Sequence, residues 1–291
     1  MISIIITAYK EARTIGKAIE QVLKNNLKKY EIIITAPDEE TLEAAKKYSK
    51  KFRFIKLLKD KGEGKPAALT LAFKKSKGDV LILTDGDVYI NENSLGPLVK
   101  KFLEEGVGAV SGHPISLNSK ESMLGYWSHL LLDVADKLRR ERVKKNKFIL
   151  CSGYLFALKK GIVDKIPSSV LDDAYISKEV WNKNYKILYE ENSKVYVQNP
   201  QNFKDWVKQK KRNVFGEFQL DTKKDNSMRS FKEESKEGWK YVLSYPKNLR
   251  EYFWMFLLIF ARIYVWVLAT IEKKIKKKSM RKIWKRVEST K

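Results

Sequence analysis

Two aspartates separated by one residue follow a short apolar segment, and together they could bind a divalent cation. Asp85 and Asp87 come directly after residues 80–84, whose apolar and β-branched composition predicts a buried strand. In an extended chain, residues at i and i+2 point to the same side, and Gly86 between them would let a ligand approach the backbone. Carboxylate oxygens suit Mg²⁺ and Mn²⁺, so the pair predicts a metal site that carries phosphates. Asp-Gly is also a common turn pair, and these residues alone leave that alternative open.

The first part of the chain alternates between predicted strands and predicted helices. Short apolar segments predict strands at residues 2–7, 31–35, 52–58 and 80–84. Apolar residues at helical spacing predict helices at residues 11–25, 39–51 and 67–75. This order predicts an α/β fold in which helices flank a Rossmann-like, mostly parallel central sheet. Ligands bind at the carboxyl ends of the strands in such sheets, which is where Asp85 and Asp87 fall.

The remainder of the chain is predicted to be less regular. Helices are predicted at residues 123–147, 174–182 and 203–219, a strand at 148–158 and a hairpin at 187–197. Residues 221–238 are polar, which is typical of a linker. The sequence therefore predicts three parts: a domain at 1–216, a linker at 217–248, and a hydrophobic helix with a basic tail at 249–291.

A large excess of positive charge limits the classes of partner. The chain has 59 Lys and Arg residues against 35 Asp and Glu residues, which gives a formal net charge of +24. Such a chain is expected to bind polyanions, which include nucleic acid, anionic membranes and phosphorylated substrates. The single cysteine, Cys151, excludes an internal disulfide framework and fits a reducing compartment. An apolar strand begins at residue 2 without the features of a signal peptide, so we expect the N-terminal domain to lie in the cytosol.

Six short segments are informative because of the order in which they occur. They are residues 4–11, 62–69, 85–87, 151–157, 171–173 and 209–212. The series resembles the family 2 glycosyltransferases with a GT-A fold, whose pattern contains a Tyr-Asn-Glu turn, a Gly-Lys-x-x-Ala-Leu segment, an Asp-x-Asp, an acidic pair and a Gln-x-x-Arg-Trp helix. The resemblance covers about residues 1–216 and implies a nucleotide-sugar half at about 1–112 and an acceptor half at about 113–216.

The resemblance also implies a role for each site residue. Asp87 and Asp85 would bind Mg²⁺ or Mn²⁺, while Asp173, beside Asp172, would be the general base. The other implied contacts are to the acceptor, from Gly153 and Tyr154, and to the nucleotide-sugar, from Ala8, Tyr9, Glu11, Asp38, Lys65, Asp85, Gln209 and Arg212.

Several of these roles have a structural alternative that the residues alone leave open. Glu11 could stabilise the first turn of the following helix, and Lys65 could be an ordinary surface lysine. Asp172 could cap the next helix while Asp173 catalyses. The basic segment around position 209 could also be a solvated helix face.

Three residues depart from the family pattern. Lys10 replaces the usual Asn of the first turn, and Asp38 stands one residue away from the usual nucleobase contact, which leaves that contact open. Asn213 replaces the Trp that usually follows Gln-x-x-Arg, which weakens an interpretation as a processive polymer synthase.

Arg212 would share a helical face with Gln209 and could clamp a diphosphate.

Residues 252–271 could contact a membrane. They contain one charged residue, Arg262, and a helix of this length could cross the hydrocarbon core. A single span would place the basic tail on the side opposite the catalytic domain, against the positive-inside tendency. We therefore expect a helix in the membrane interface or a re-entrant helix, with Trp254, Tyr264 and Trp266 near the headgroups and the basic tail attracted to anionic lipid. The alternative is a helix that packs on the domain or on a second subunit.

Taken together, these features predict a metal-dependent, hexosyltransferase-type glycosyltransferase, and the resemblance implies that it inverts the anomeric carbon. A nucleoside-diphosphate sugar, with UDP favoured and GDP possible, would donate to a hydroxyl on a lipid-linked or glycan acceptor. The protein would be peripheral or monotopic on the cytoplasmic side of the cell membrane. Alternatives are a polyprenyl-phosphate sugar synthase, a nucleotidyltransferase and a basic nucleic-acid-binding protein. The chain contains no recognisable nucleic-acid module, so no nucleic-acid partner is expected.

Overall fold

The computed structural model describes residues 1–168, 170–217, 231–274 and 288–290. They form two units: Met1–Pro114 with Ile149–Val197 (unit 1), and Ile115–Phe148 with the described residues of Gln198–Lys291 (unit 2). This division differs from the predicted one, because residues 115–148 belong with the C-terminal helices and not to a domain that ends at 216. Residues 218–230 of the predicted linker, and 275–287 and 291 of the predicted basic tail, lie outside the described residues.

The strands form one sheet, which lies almost entirely in unit 1. Its members are β1 (Ile2–Thr7), β2 (Tyr30–Ala36), β3 (Ile55–Lys59), β4 (Val80–Asp85), β5 (Tyr89–Ile90), β6 (Val107–Ser116), β7 (Leu155–Lys159) and β8 (Lys186–Val197). Their order across the sheet is β3-β2-β1-β4-β7-β6-β8-β5. Strands β3, β2, β1 and β4 pair in parallel, whereas β7 is antiparallel to β4 and β6, and β5 is antiparallel to β8. The parallel part thus coincides with the alternating part of the sequence.

The sheet bends between β4 and β5. Four strand spacings separate these two strands in the sheet order, which in a flat sheet would amount to about 19 Å. Only residues 86–88 connect them, and the four steps from Asp85 to Tyr89 can span at most about 14 Å. The sheet is therefore curled, and the loop that contains Asp87 bridges its middle and its edge.

The described residues contain nine α-helices. They are α1 (Ile15–Leu23), α2 (Glu39–Lys51), α3 (Lys65–Lys75), α4 (Leu95–Lys100), α5 (Met123–Lys144), α6 (Asp172–Asn182), α7 (Phe203–Glu217), α8 (Phe231–Ser244) and α9 (Leu249–Lys274). Helices α5 and α7–α9 belong to unit 2. In unit 1, the continuous apolar runs of β1 and β2 are fully buried, as expected for parallel strands that are covered on both faces.

Four predicted elements differ from the structure. Helix α1 begins at Ile15 instead of Glu11, because Lys10 has a left-handed φ of 54° and the next residues form a turn. The strand predicted at 148–158 is regular only from Leu155 onward. The predicted hairpin at 187–197 is one strand: Glu191 and Asn192 in its middle are exposed, but the next residue, Ser193, is buried and donates to the carbonyl of Ser94 at 2.7 Å. The predicted linker contains α8.

Aromatic side chains and a buried ion pair organise unit 2. Trp127 of α5 packs against Trp206 of α7 with ring centroids 5.1 Å apart, and its indole N–H donates to the carbonyl of Trp254 in α9 at 2.7 Å. Arg142 of α5 pairs with Glu237 of α8 at 2.6 Å. These contacts make α8, whose sequence is polar, part of the packed unit.

Candidate active site

The Asp85 side chain is held by the neighbouring strand. Thr7 ends β1 and lies opposite Asp85 in parallel register, so β4 extends one residue beyond its predicted end. The Thr7 hydroxyl donates to Asp85 Oδ1 at 2.9 Å, and the Thr7 carbonyl accepts from the Gly86 N–H at 2.9 Å. Asp87 follows in the turn toward β5 and is half-buried. The sequence pattern did not single out Thr7, although polar residues that end adjacent strands are a usable signal.

The space beside Gly86 is filled by the protein itself. A Cβ atom at this position would lie 2.5 Å from Glu11 Oε2 and 2.9 Å from Ala8 Cβ, and both of these residues are buried. Glycine is therefore needed so that the turn can pack on the loop after β1, and the approach of a ligand to its backbone stays a prediction. The same contact brings Ala8 and Glu11 directly against the turn that carries Asp87.

Lys65 points into the site and is not a surface residue. It is the first residue of α3, and Gly62 and Gly64 before it have φ values of 70° and 99°, which favour glycine. The Lys65 ammonium lies 2.6 Å from Asp85 Oδ1 and 3.4 Å from Asp172 Oδ2. It also donates to the Gly153 carbonyl at 3.3 Å. Lys65 therefore joins the ends of three chain segments that are far apart in sequence.

Burial and charge act in opposite directions on this cluster. Burial alone would lower the pKa of Lys65, but the carboxylates of Asp172 and Asp85 outweigh it and raise the pKa. The pKa of Asp172 is raised by burial, against the attraction of Lys65 and with added repulsion from Asp173 and Asp85. The surrounding carboxylates thus favour the protonated form of Lys65, whereas burial disfavours the charged form of Asp172.

The two acids at the start of α6 have different surroundings. Both are buried, and the residue that caps the helix is Leu171, so the predicted capping role of Asp172 is wrong. The Asp172 carboxylate turns instead toward Lys65. Asp173 Oδ1 accepts from the Ala174 N–H at 2.9 Å, and a Cβ at Gly153 would lie 3.3 Å from Asp173 Oδ2. Asp173 therefore lies beside the Gly153 segment, which was predicted to face the acceptor.

The loops after β1 and β2 hold each other in place through Asp38. Its carboxylate caps α2 by accepting from the Thr41 N–H at 3.0 Å, and it also accepts from the Lys10 N–H at 2.8 Å. The Thr41 hydroxyl in turn accepts from the Glu11 N–H at 2.9 Å. Asp38 is thus a structural residue of this corner, and its contact with a nucleobase stays a prediction. Tyr9, at the tip of the β1 loop, is 49% exposed.

The remaining predicted residues belong to other surroundings. The Tyr154 carbonyl accepts from the Thr84 hydroxyl at 2.9 Å, which ties the acceptor-side segment to β4. Gln209 and Arg212 lie on α7 of unit 2, where Gln209 is buried and Arg212 half-buried. Their contacts with a nucleotide-sugar stay predictions.

The acids of unit 1 suit a metal that obtains part of its coordination from its substrate. No three His, Cys, Asp or Glu side chains in the described part of the chain converge into a complete metal site. Asp85 already pairs with a cation, the Lys65 ammonium, and carboxylates near it provide the hard oxygen donors that Mg²⁺ and Mn²⁺ prefer. Since Mg²⁺ is commonly held by one or two carboxylates plus substrate phosphates, Asp85 and Asp87 fit such a metal.

The comparison with known families agrees with this arrangement. The family model described as Glycosyl transferase family 2 matches residues 3–166, which is more than half of the chain. The chain belongs to this family. The matched region includes Lys65, Asp85, Asp87 and Gly153 and ends before Asp172.

Curated members of the family are longer than this chain. Probable glycosyltransferase YdaM of Bacillus subtilis is 25% identical over 225 residues, which are 72% of this chain and 54% of YdaM. The hyaluronan synthase of Streptococcus pyogenes is 26% identical over 168 residues, which are 52% of this chain and 39% of the synthase. The chain therefore spans about half the length, or less, of these relatives.

Solved structures of glycosyltransferases share the fold. The mannosyltransferase PcManGT from Pyrobaculum calidifontis, in complex with GDP-Man and Mn²⁺, aligns with a TM-score of 0.70 and 14% identity over 95% of this chain and 88% of that chain. GalNAc-T7 with UDP, GalNAc and Mn²⁺ aligns with a TM-score of 0.53 and 20% identity over 68% of this chain and 43% of that chain. The predicted α/β fold of the GT-A type is confirmed.

Proposed function

We propose that this chain is a metal-dependent, inverting glycosyltransferase that moves a sugar from a nucleoside-diphosphate sugar to a hydroxyl of a lipid-linked acceptor. The observation that carries the proposal is the cluster of Lys65, Asp85 and Asp172 at the carboxyl ends of the parallel strands, beside Asp87. An ammonium between carboxylates at this edge is suited to a substrate that brings both a diphosphate and a metal.

The proposed reaction is a direct displacement at the anomeric carbon. The acceptor oxygen forms a bond to this carbon while the bond to the diphosphate oxygen breaks, which inverts the configuration. Asp173 takes the hydroxyl proton, and the nucleoside diphosphate leaves with the electrons of the broken bond. Asp85 and Asp87 would hold Mg²⁺ or Mn²⁺, which when bound neutralises charge on the diphosphate. Lys65 stabilises the same developing charge from the start of α3.

The ligands of the structural neighbours support a nucleotide-sugar donor. PcManGT was solved with GDP-Man and GalNAc-T7 with UDP and GalNAc, and both contain Mn²⁺. We propose a UDP-sugar or a GDP-sugar as the donor of this chain. Thermal-shift measurements with UDP-, GDP- and dTDP-sugars, each with and without Mn²⁺, test this proposal.

The expected result is stabilisation by one donor class only when Mn²⁺ is present. The double variant Asp85→Ala/Asp87→Ala should lose that shift, whereas Asp164→Ala, which removes an exposed acid of unit 1, should keep it. An equal shift for the double variant and the wild type would contradict the proposal. Release of pyrophosphate from a nucleoside triphosphate would instead identify a nucleotidyltransferase.

The role of Asp173 is tested by comparing two neighbouring carboxamides. Asp173→Asn should lower kcat by about 10²–10⁴-fold with little change in donor affinity, because only proton transfer is lost. Asp172→Asn removes a partner of Lys65 and should mainly weaken donor binding. A less than about tenfold loss of kcat in Asp173→Asn would count against a neutral hydroxyl and favour a phosphate acceptor, which is already anionic.

We further propose that α9 rests in the interface of an anionic membrane on its cytosolic side. Among the described residues, only Leu249–Lys273 is long and apolar enough to cross a membrane. One face of α9 packs inside unit 2, where Met255, Leu258 and Val265 are buried. The other face exposes large apolar side chains: Phe253, Phe256, Phe260, Ile263, Tyr264 and Val267. A helix that is half packed on protein and half apolar toward the outside is suited to lie at a lipid surface.

Flotation with liposomes that contain anionic lipid tests this placement. The triple variant Phe253→Ser/Phe256→Ser/Phe260→Ser should lose most of the binding, while Leu103→Ser, which removes an exposed leucine of unit 1, should not. These substitutions are preferable to deletion of α9, because the helix also supports the core of unit 2 through Trp127. Equal flotation of the triple variant and the wild type would contradict the proposal.

A further inference from the structure

Lys65 and a metal would compete for the same carboxylate. The ammonium lies 2.6 Å from Asp85 Oδ1, which also accepts from Thr7. A divalent cation on either oxygen of Asp85 would therefore lie close to a positive charge that is largely shielded from water, where like charges repel strongly. In the arrangement seen here, Asp85 already has its counter-ion.

Lys65 has other partners that remain if it leaves Asp85. Asp172 Oδ2 lies 3.4 Å from the ammonium and accepts no hydrogen bond from the described residues. The Gly153 carbonyl provides a third contact at 3.3 Å. A diphosphate at the start of α3 would offer the ammonium a stronger partner than either, because it carries more charge and would lie near the positive end of the helix dipole.

We infer that Lys65 acts as an internal counter-ion of Asp85, opposes metal binding to the free protein, and permits it once a diphosphate draws the ammonium away. This inference rests on the proposed function for the identity of the diphosphate. It predicts that metal and nucleotide bind cooperatively and that Lys65 adds to the cooperativity that the phosphate oxygens supply as metal ligands. The lack of a complete three-acid site in the described residues is consistent with this dependence.

Isothermal titration of Mn²⁺ into the full chain, without nucleotide and with GDP or UDP, tests the inference. In the wild type, the nucleotide should tighten Mn²⁺ binding on the order of tenfold. Lys65→Met should tighten Mn²⁺ binding in the absence of nucleotide by about threefold or more and lower the coupling by the same factor, leaving the part that the phosphate oxygens supply. Lys65→Arg keeps the charge and should retain the wild-type coupling. Lys46→Met, which removes an ammonium 2.8 Å from Glu43 on α2, is the matched control.

The outcomes separate this inference from the proposed function. If Lys65→Met binds Mn²⁺ without nucleotide no more tightly than the wild type, or shows no binding, the inference is wrong whatever the nucleotide does. If neither GDP nor UDP binds the wild type in the presence of Mn²⁺, the proposed donor class is wrong. The titrations without nucleotide still show whether Lys65 competes with Mn²⁺ for Asp85. Lys65→Gln replaces Lys65→Met if circular dichroism shows that the methionine variant does not fold.

Discussion

Replacing Gly86 with alanine should destabilise unit 1 by about 1–2 kcal/mol. The added Cβ would lie 2.5 Å from Glu11 Oε2, 2.9 Å from Ala8 Cβ and 3.2 Å from Ile15 Cδ1. The Glu11 carboxylate can rotate, but Ala8 cannot yield easily because its N–H donates to the Thr35 carbonyl at 2.9 Å. Overpacking of this kind costs about 1–3 kcal/mol. Alanine also reduces the conformational entropy of the unfolded chain, which offsets about 0.4–1 kcal/mol of this cost. This gain applies because φ of Gly86 is not in the left-handed region, so alanine can adopt its backbone conformation.

Urea unfolding followed by far-ultraviolet circular dichroism measures this difference. Gly96→Ala is the matched control, because no atom lies within 4 Å of its added Cβ, and it should be neutral or stabilising by up to about 1 kcal/mol. The double variant Ala8→Gly/Gly86→Ala removes the 2.9 Å contact and should recover part of the loss. If Gly86→Ala is as stable as Gly96→Ala, the close packing of the turn on the β1 loop is refuted.

Two further predictions concern single carboxylates. Asp38→Ala should destabilise α2 by about 1–2 kcal/mol through loss of its cap. Burial raises the pKa of Asp38, but hydrogen bonds from backbone N–H groups and Thr41 outweigh burial and lower the pKa. The difference in unfolding free energy between wild type and variant should therefore be largest at pH 7 and should shrink as the pH falls below about 4. Urea midpoints measured at several pH values check this. Glu237→Gln should lower the stability of unit 2 by about 3–5 kcal/mol in thermal or urea unfolding, because its partner Arg142 is only 3% exposed. Lys147→Gln, which removes the exposed partner of Glu237, should cost less than about 1 kcal/mol. Equal losses would contradict the view that the buried pair with Arg142 carries the stability.

The parallel half of the sheet was predictable from sequence because each strand carries its own signal. The apolar runs that became β1, β2 and β4 are short, and helices with apolar residues at regular spacing lie between them, so periodicity alone determines the order. Asp85 was predicted at a strand end for the same reason. Where polar residues are buried by tertiary partners, as Ser193 is by Ser94, the local pattern suggested a turn that does not form.

The contacts of the site were less predictable, because they join segments that are distant in sequence. The ammonium of Lys65 pairs with Asp172, which lies 107 positions later, and no local pattern carries that information. The resemblance to a family placed both residues at one site but did not indicate that they contact each other. Helix α8 was missed for a similar reason: its polar sequence is held by Arg142 and Glu141 of α5, through ion pairs with Glu237 and Lys240.

The curl of the sheet limits how the two acids can respond to a ligand. Residues 86–88 are the whole connection between a central strand and an edge strand, and the four steps from Asp85 to Tyr89 can span at most about 14 Å. A connection this short limits how far Asp87 can move relative to Asp85, so adjustment to different donors falls to a long, unbranched side chain such as Lys65. Adding one or two residues between Asp87 and Tyr89 would loosen the metal-binding edge without touching either carboxylate.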